Sequence, residues 1–308
     1  MPSLLAKMSK VFMRKYFNMN PECGGSFAKV ADSLNKDTKK MKKGYLHQEL
    51  STPDGIKYEL VKPISGANGN LVLYFHGGGY VSGLNQLYRS SACDFAKQCG
   101  GECILLDYTL FPAVFPIQHD QAYSLWGYVT DKLGYDPEKI IIGGDSAGGN
   151  LTMSLMLRIR DEGKKMPKAI IGISPWTDMT ASGEHYISNY NRDPMFGEKD
   201  SPMTPEKRER LLKSDLYLWC GTAERTDPYV SPVYGDYKGF PTTLLTVGGD
   251  ELLLDDTLTI AENMKKNGVN VSVIRHDGMF HIYPFYTAFP EGKDAYKKIL
   301  AFIRAQLG

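Results

Sequence analysis

Three short stretches of the chain hold residue types that together can carry out nucleophilic acyl transfer. In Gly144-Asp145-Ser146-Ala147-Gly148 a serine sits in a G-x-S-x-G pattern. The apolar run Ile140–Gly143 comes just before it, and Leu151, Leu155 and Ile159 then fall on one face of a helix. A sharp strand-to-helix turn with small neighbours lifts such a serine above the sheet, and the helix N-terminus favours negative charge developing beside it. His76-Gly77-Gly78-Gly79-Tyr80 follows a second apolar run, Leu71–Phe75. Successive glycines let backbone N–H groups approach a substrate closely, so with the N–H of Ala147 this loop can bind an oxyanion. His76 is expected to hold that loop rather than transfer protons.

The third stretch comes late in the chain. Asp250 ends an apolar run in Gly248-Gly249-Asp250-Glu251, and His276 and His281 follow the last strand candidate. A nucleophile needs a base, and the base needs an acid to orient it. His281, further out on its loop, is the expected base, and His276 is expected to be a hydrogen-bonded bystander. Asp250 is the expected acid. Glu251, Asp255 and Asp256 compete for that role, although N-capping of a following helix accounts for the last two. His47, His119 and His185 lie in no motif. The order Ser146, Asp250, His281 is that of a nucleophile–acid–base triad. No cluster has metal-ligand spacing and no dinucleotide fingerprint occurs, so no cofactor or metal is expected.

The elements that must position these residues alternate. Strand candidates are Ile56–Val61, Leu71–Phe75, Cys103–Asp107, Ile140–Gly143, Ala169–Ser174, Thr242–Val247 and Val269–Arg275. Helix candidates between and after them are Ser91–Cys99, Asp120–Leu133, Asn150–Glu162, Asp256–Lys266 and a last helix from about Lys293. Several strands are near-continuous apolar runs, which points to a mostly parallel sheet covered on both faces. One connection, between Ser174 and Thr242, is long and rich in aromatic residues, as a functional insertion with its own helices would be.

The first 43 residues differ from the rest, with ten lysines and arginines against three acidic residues. Leu4, Met8, Val11 and Phe12 recur at helical spacing, giving an apolar face expected to pack on the main domain. A second helical stretch is expected to run to about Lys43. Residues 1–45 and about 177–222 are thus expected to form a helical cap, and 46–308 the catalytic domain. A basic amphipathic helix can also lie on an anionic membrane, but a packed helix with solvated lysines is the commoner case.

The 308-residue chain carries a net charge of +1, which gives no sign of a nucleic-acid partner. No run reaches the roughly 18 apolar residues of a membrane span, so stable membrane insertion is not expected. The five scattered cysteines do not read as a disulfide framework, which points to the cytoplasm.

Taken together, the motifs resemble those of the hormone-sensitive-lipase-like (bacterial family IV) carboxylesterases. The resemblance runs from about Leu71 to the C-terminus. It includes His76–Tyr80, Gly144–Gly149, Ser174-Pro175-Trp176-Thr177-Asp178, Asp227–Pro232 and Asp250–Asp255. It implies an α/β-hydrolase fold with a helical cap, Ser146, Asp250 and His281 as triad, and Gly78, Gly79 and Ala147 as oxyanion hole. The expected substrate is a small, short-acyl carboxylic ester. Amides, lactones and acetylated sugars stay open for the same triad, as do a homodimer and a non-catalytic small-molecule receptor.

Overall fold

The apolar runs pair side by side into one sheet because each carries inward-facing residues on both faces. In a computed structural model describing residues 2–20 and 39–308, the strands are β1 (Tyr45–Ser51), β2 (Lys57–Pro63), β3 (Leu71–Phe75) and β4 (Glu102–Leu106). They continue with β5 (Ile140–Asp145), β6 (Ala169–Ile173), β7 (Thr242–Gly248) and β8 (Val271–His276). Their order in the sheet is β1-β2-β4-β3-β5-β6-β7-β8. The first two strands join antiparallel, and the six from β3 to β8 run parallel.

Helices cover both faces: α1 (Leu4–Tyr16), α2 (Gln86–Cys99), α3 (Ile117–Gly127), α4 (Ala147–Asp161), α5 (Pro205–Leu212), α6 (Leu254–Lys266) and α7 (Pro290–Leu307). The period of two along β3 divides the core between them. Leu71, Leu73 and Phe75 join Leu151, Met153 and Ile260 in one cluster, while Val72 and Tyr74 join Phe95, Ile299 and Ile303 in the other. The α/β architecture expected from the alternating pattern is the one observed.

Two expectations at the N-terminal end need correction. The apolar stripe of α1 does not pack inward: Leu4, Met8, Val11 and Phe12 are exposed, and the helix buries Ala6 and Met13 instead. The second helical stretch lies mostly outside the described residues, and its end at 39–43 is coil and turn. The edge strand β1 was not expected. Its burial alternates irregularly, so it lacks the apolar run that marks the central strands.

The long connection after β6 holds a helical turn at His185–Ser188, helix α5 and a 3-10 segment at Asp215–Cys220. The chain just after α1 is fastened to it. The Met19 amide donates to the Met195 carbonyl (2.7 Å), and Asn18 Nδ2 donates to the carbonyls of Pro194 (3.1 Å) and Gly197 (2.9 Å).

Candidate active site

Ser146 occupies a turn that few sequences can make. Its φ is +53° and ψ −118°, a strained conformation for a residue with a Cβ. The turn closes only because its flanks lack side chains. A Cβ on Gly148 would lie 2.0 Å from the Phe75 carbonyl oxygen, and one on Gly144 would lie 2.2 Å from that of Gly148. The Ser146 amide donates to the Ile173 carbonyl (3.0 Å), and its own carbonyl accepts from Trp176 and Asn150 (both 3.0 Å), so neighbouring segments hold the turn. A Gly148→Ala variant is therefore expected to accumulate as unfolded or insoluble protein, which expression and thermal melts would reveal.

The glycine loop is built on a buried polar network. Asp145 accepts from Tyr74 Oη (3.0 Å), the Gly77 amide (3.0 Å) and Tyr88 Oη (3.2 Å). The His76 ring stacks on Tyr108, with centroids 4.1 Å apart, and Tyr108 Oη donates to the His76 carbonyl (2.8 Å). Burial pushes the His76 imidazole down to about 4, so it is neutral and holds the loop. Gly78 has φ +111° and leads into the turn closed by the Val81 and Ser82 amides on its carbonyl (both 2.9 Å). Among the described residues, no protein acceptor takes the N–H groups of Gly78, Gly79 or Ala147. Gly78 lines the same cavity as Ser146.

Burial raises the Asp145 carboxyl to about 6, against the favourable hydrogen bonds from Tyr74, Gly77 and Tyr88 and the attraction of His281. The sign follows from linkage. A carboxyl whose folded pKa lies above its unfolded value of 3.8 favours the fold fully below pH 3.8, and that contribution disappears as pH rises towards 6. An Asp145→Asn variant, which keeps the shape and drops the charge, is expected to gain stability relative to wild type as pH rises from 4 to 7, by an amount on the order of 2–3 kcal/mol at most. Thermal melts of both proteins across that range test this.

The carboxylate that meets His281 differs from expectation. His281, buried, shares a hydrogen bond between Nδ1 and Glu251 Oε2 (2.9 Å), not Asp250. Glu251 is fully buried, and its Oε1 accepts from Ser174 Oγ (2.7 Å) and from the Gly248 amide. Asp250 turns the other way and pairs with Lys10 of α1 and with Arg192 (2.6 Å) of the insertion after β6. The chain reverses after β7, so adjacent carboxylates leave on opposite sides: one faces the histidine, the other the basic N-terminal helix. The sequence held a usable signal, since the N-terminal surplus of lysines needed a carboxylate partner.

Asp255 and Asp256 do not cap α6, whose N-cap position is Leu253. Asp256 accepts from the Thr177 (2.7 Å) and Asp178 (2.8 Å) amides, and Asp255 from His185. Both tie the insertion to helix α6. His276 bonds Tyr283 Oη (2.8 Å), away from the pocket.

Ser146 stands where two cavities meet, with Phe196 on the wall of both. One, of about 100 Å³, also contains Gly78, His281, Phe17 and Met19. The other, of about 20 Å³, is lined by Trp176, Tyr186, Leu211, Leu216, Tyr217, Leu252 and Leu253. Ser146, His281 and the glycine loop thus share the larger cavity, and the Phe196 ring lies edge-on against His281 with centroids 5.1 Å apart. Among the described residues, no group of His, Cys, Asp and Glu is placed to hold a metal ion, and no helix is long and apolar enough to cross a membrane.

Comparison with known proteins agrees with this geometry. Residues 72–285 match the model of the alpha/beta hydrolase fold family. An acetyl-hydrolase of Streptomyces hygroscopicus is 30% identical over 252 residues, covering 81% of this chain and 80% of that protein. An esterase of Acinetobacter venetianus is 30% identical over 250 residues, covering 80% of this chain and 78% of its own. Among solved structures, an esterase/lipase from an uncultured bacterium superposes with TM-score 0.85 at 28% identity, over 99% of both chains. An esterase from the bacterial hormone-sensitive lipase family gives TM-score 0.78 at 30% identity, over 92% of this chain and 90% of that one. With strand order, serine turn and glycine loop in place, the chain belongs to the α/β-hydrolase fold family, among its hormone-sensitive-lipase-like esterases.

Proposed function

We propose that this chain is a serine carboxylesterase that hydrolyses small, short-acyl esters through an acyl-enzyme. The observation that carries the reading is the meeting of Ser146, His281 and the Gly78 loop at one cavity. His281 takes the Ser146 proton as the hydroxyl attacks the ester carbonyl, and Glu251 holds the imidazole in the productive tautomer and stabilises its charge. The N–H groups of Gly78, Gly79 and Ala147 receive the oxyanion. His281 then protonates the departing alcohol, and water hydrolyses the acyl-enzyme by the same path.

That proton transfer assigns the two cavities. The leaving alcohol must lie on the His281 side, in the larger cavity beside Phe17 and Met19. The acyl group then enters the smaller one under Trp176 and Tyr217. A water needs roughly 10–15 Å³, so about 20 Å³ suits an acetyl methyl or little more. The described part of residues 1–45 and the stretch at about 177–222 act as a cap over the rest of 46–308, since Phe17 and Met19 of the first and Phe196 and Tyr217 of the second line the cavities. Four buried free thiols (Cys93, Cys99, Cys103, Cys220) support a reducing, cytoplasmic setting.

The test is hydrolysis of p-nitrophenyl esters from acetyl to dodecanoyl, with Ser146→Ala as control. Activity is expected to peak at acetyl, to fall with each added carbon, and to vanish in the variant. Undiminished turnover in the variant would overturn the assignment, and turnover of amides but not esters would overturn the substrate class. Leu216→Ala, which opens the small cavity, is expected to move the optimum to longer acyl chains. An unchanged chain-length profile would remove Leu216 from the acyl site.

A further inference from the structure

Helix α1 presents two surfaces that the esterase reading does not use. On one side Leu4, Leu5, Met8, Val11, Phe12 and Tyr16 form a continuous stripe, each residue between 53% and 75% exposed. Six large apolar side chains at spacings of three, four and seven are far more than the scattered exposed hydrophobics of an ordinary surface. Only Ala6 and Met13 of the helix are buried, so its hold on the body is narrow. The Ser3 amide and hydroxyl on Glu291, and Lys10 on Asp250, add fixed points without covering the stripe.

Beside the stripe, α1 and the loop at 191–200 enclose an open groove lined by Lys7, Lys10, Arg14, Lys15, Arg192 and Lys199. Asp200 is the carboxylate on the same wall, 3.7 Å from Lys199. Lys10 and Arg192 share buried Asp250, and Arg14 donates to the Asn191 carbonyl (3.0 Å). Lys7 and Lys15 remain at the surface, where the positive field faces outward.

We infer that α1 docks the protein on the surface of a bilayer containing anionic phospholipid, its apolar stripe entering the headgroup boundary and its basic flank facing the phosphates. An exposed apolar stripe flanked by lysines is the arrangement by which interfacial helices bind, and each cation near an anionic surface adds to the attraction. The charge of the flank selects this occupant over a neutral apolar one. Phe17 and Met19, immediately after the helix, line the larger Ser146 cavity, so the docking helix runs directly into the wall of that cavity. The docking does not depend on the esterase assignment.

Vesicle flotation of the full chain tests it, using pure phosphatidylcholine against phosphatidylcholine mixed with phosphatidylglycerol. Binding is expected to the mixed vesicles, weakening as salt is raised. Met8→Asp with Val11→Asp should abolish it, and Lys7→Gln with Lys15→Gln should weaken it at least about tenfold. These residues are at the surface, so circular dichroism and Tm are expected to match wild type. Failure to float with mixed vesicles would overturn the inference, as would binding that the Asp pair leaves intact. So would a wild-type dimer that the Asp pair converts to a monomer without vesicle binding, which would make the stripe a contact between copies.

Discussion

Glu251→Gln is expected to lower kcat on the order of 10⁴-fold, whereas Asp250→Asn is expected to leave kcat within a few-fold of wild type. The two carboxylates are adjacent in sequence, yet only Glu251 reaches His281 Nδ1. An amide at position 251 keeps the shape but can donate to Nδ1, stabilising the wrong tautomer and leaving the imidazolium uncompensated. Both Glu251 oxygens are engaged, with Ser174 Oγ and the Gly248 amide on the second, so Gln has no easy rotation that restores the ionic contact. Asp250 acts elsewhere. Losing its charge frees Lys10 and Arg192 and loosens α1 and the insertion from the sheet. Both cations are partly in water, so the stability loss is expected to be roughly 1 kcal/mol, with KM rising more than kcat falls. Steady-state kinetics of the two variants decide the matter. A loss confined to Asp250→Asn would return the acid role to the residue that sequence alone favoured.

The difference between these neighbours marks how far the chain could be read. Runs such as Leu71–Phe75 and Ile140–Gly143 announce buried parallel strands because two covered faces demand apolar residues at every position. The Gly144–Gly149 turn is equally legible, since the sterics that force its glycines act within the motif itself. Which of two consecutive carboxylates turns inward depends instead on the path of the chain after β7 and on the histidine loop 30 residues later. Periodicity gave α1 its stripe but not its direction. An apolar face reads the same whether it meets a core or faces outward, and Ala6 and Met13 were too few to identify the inner side. Edge strand β1 escaped for a related reason: its half-exposed pattern looks like a polar loop until β2 pairs with it.

Replacing Ser146 by Ala or by Gly is expected to cost the same activity, on the order of 10⁶-fold in kcat, but to leave the two variants with different stabilities. Both variants remove the hydroxyl, while the Gly78, Gly79 and Ala147 donors and the two cavities stay in place, so residual turnover and ligand binding should match. The backbone separates them. At φ +53° and ψ −118° a Cβ is strained, and alanine retains that strain. Glycine relieves it, offset by about 0.5–1 kcal/mol for the greater freedom of its unfolded chain. The surrounding bonds to Ile173, Trp176 and Asn150 involve only the backbone of residue 146, so neither substitution removes them. Ser146→Gly is thus expected to melt above Ser146→Ala, by an amount on the order of 1 kcal/mol. Thermal melts of the inactive pair read the strain directly, free of any substrate. Equal melting temperatures would mean that the turn is held without strain and that the serine's position is set by its neighbours alone.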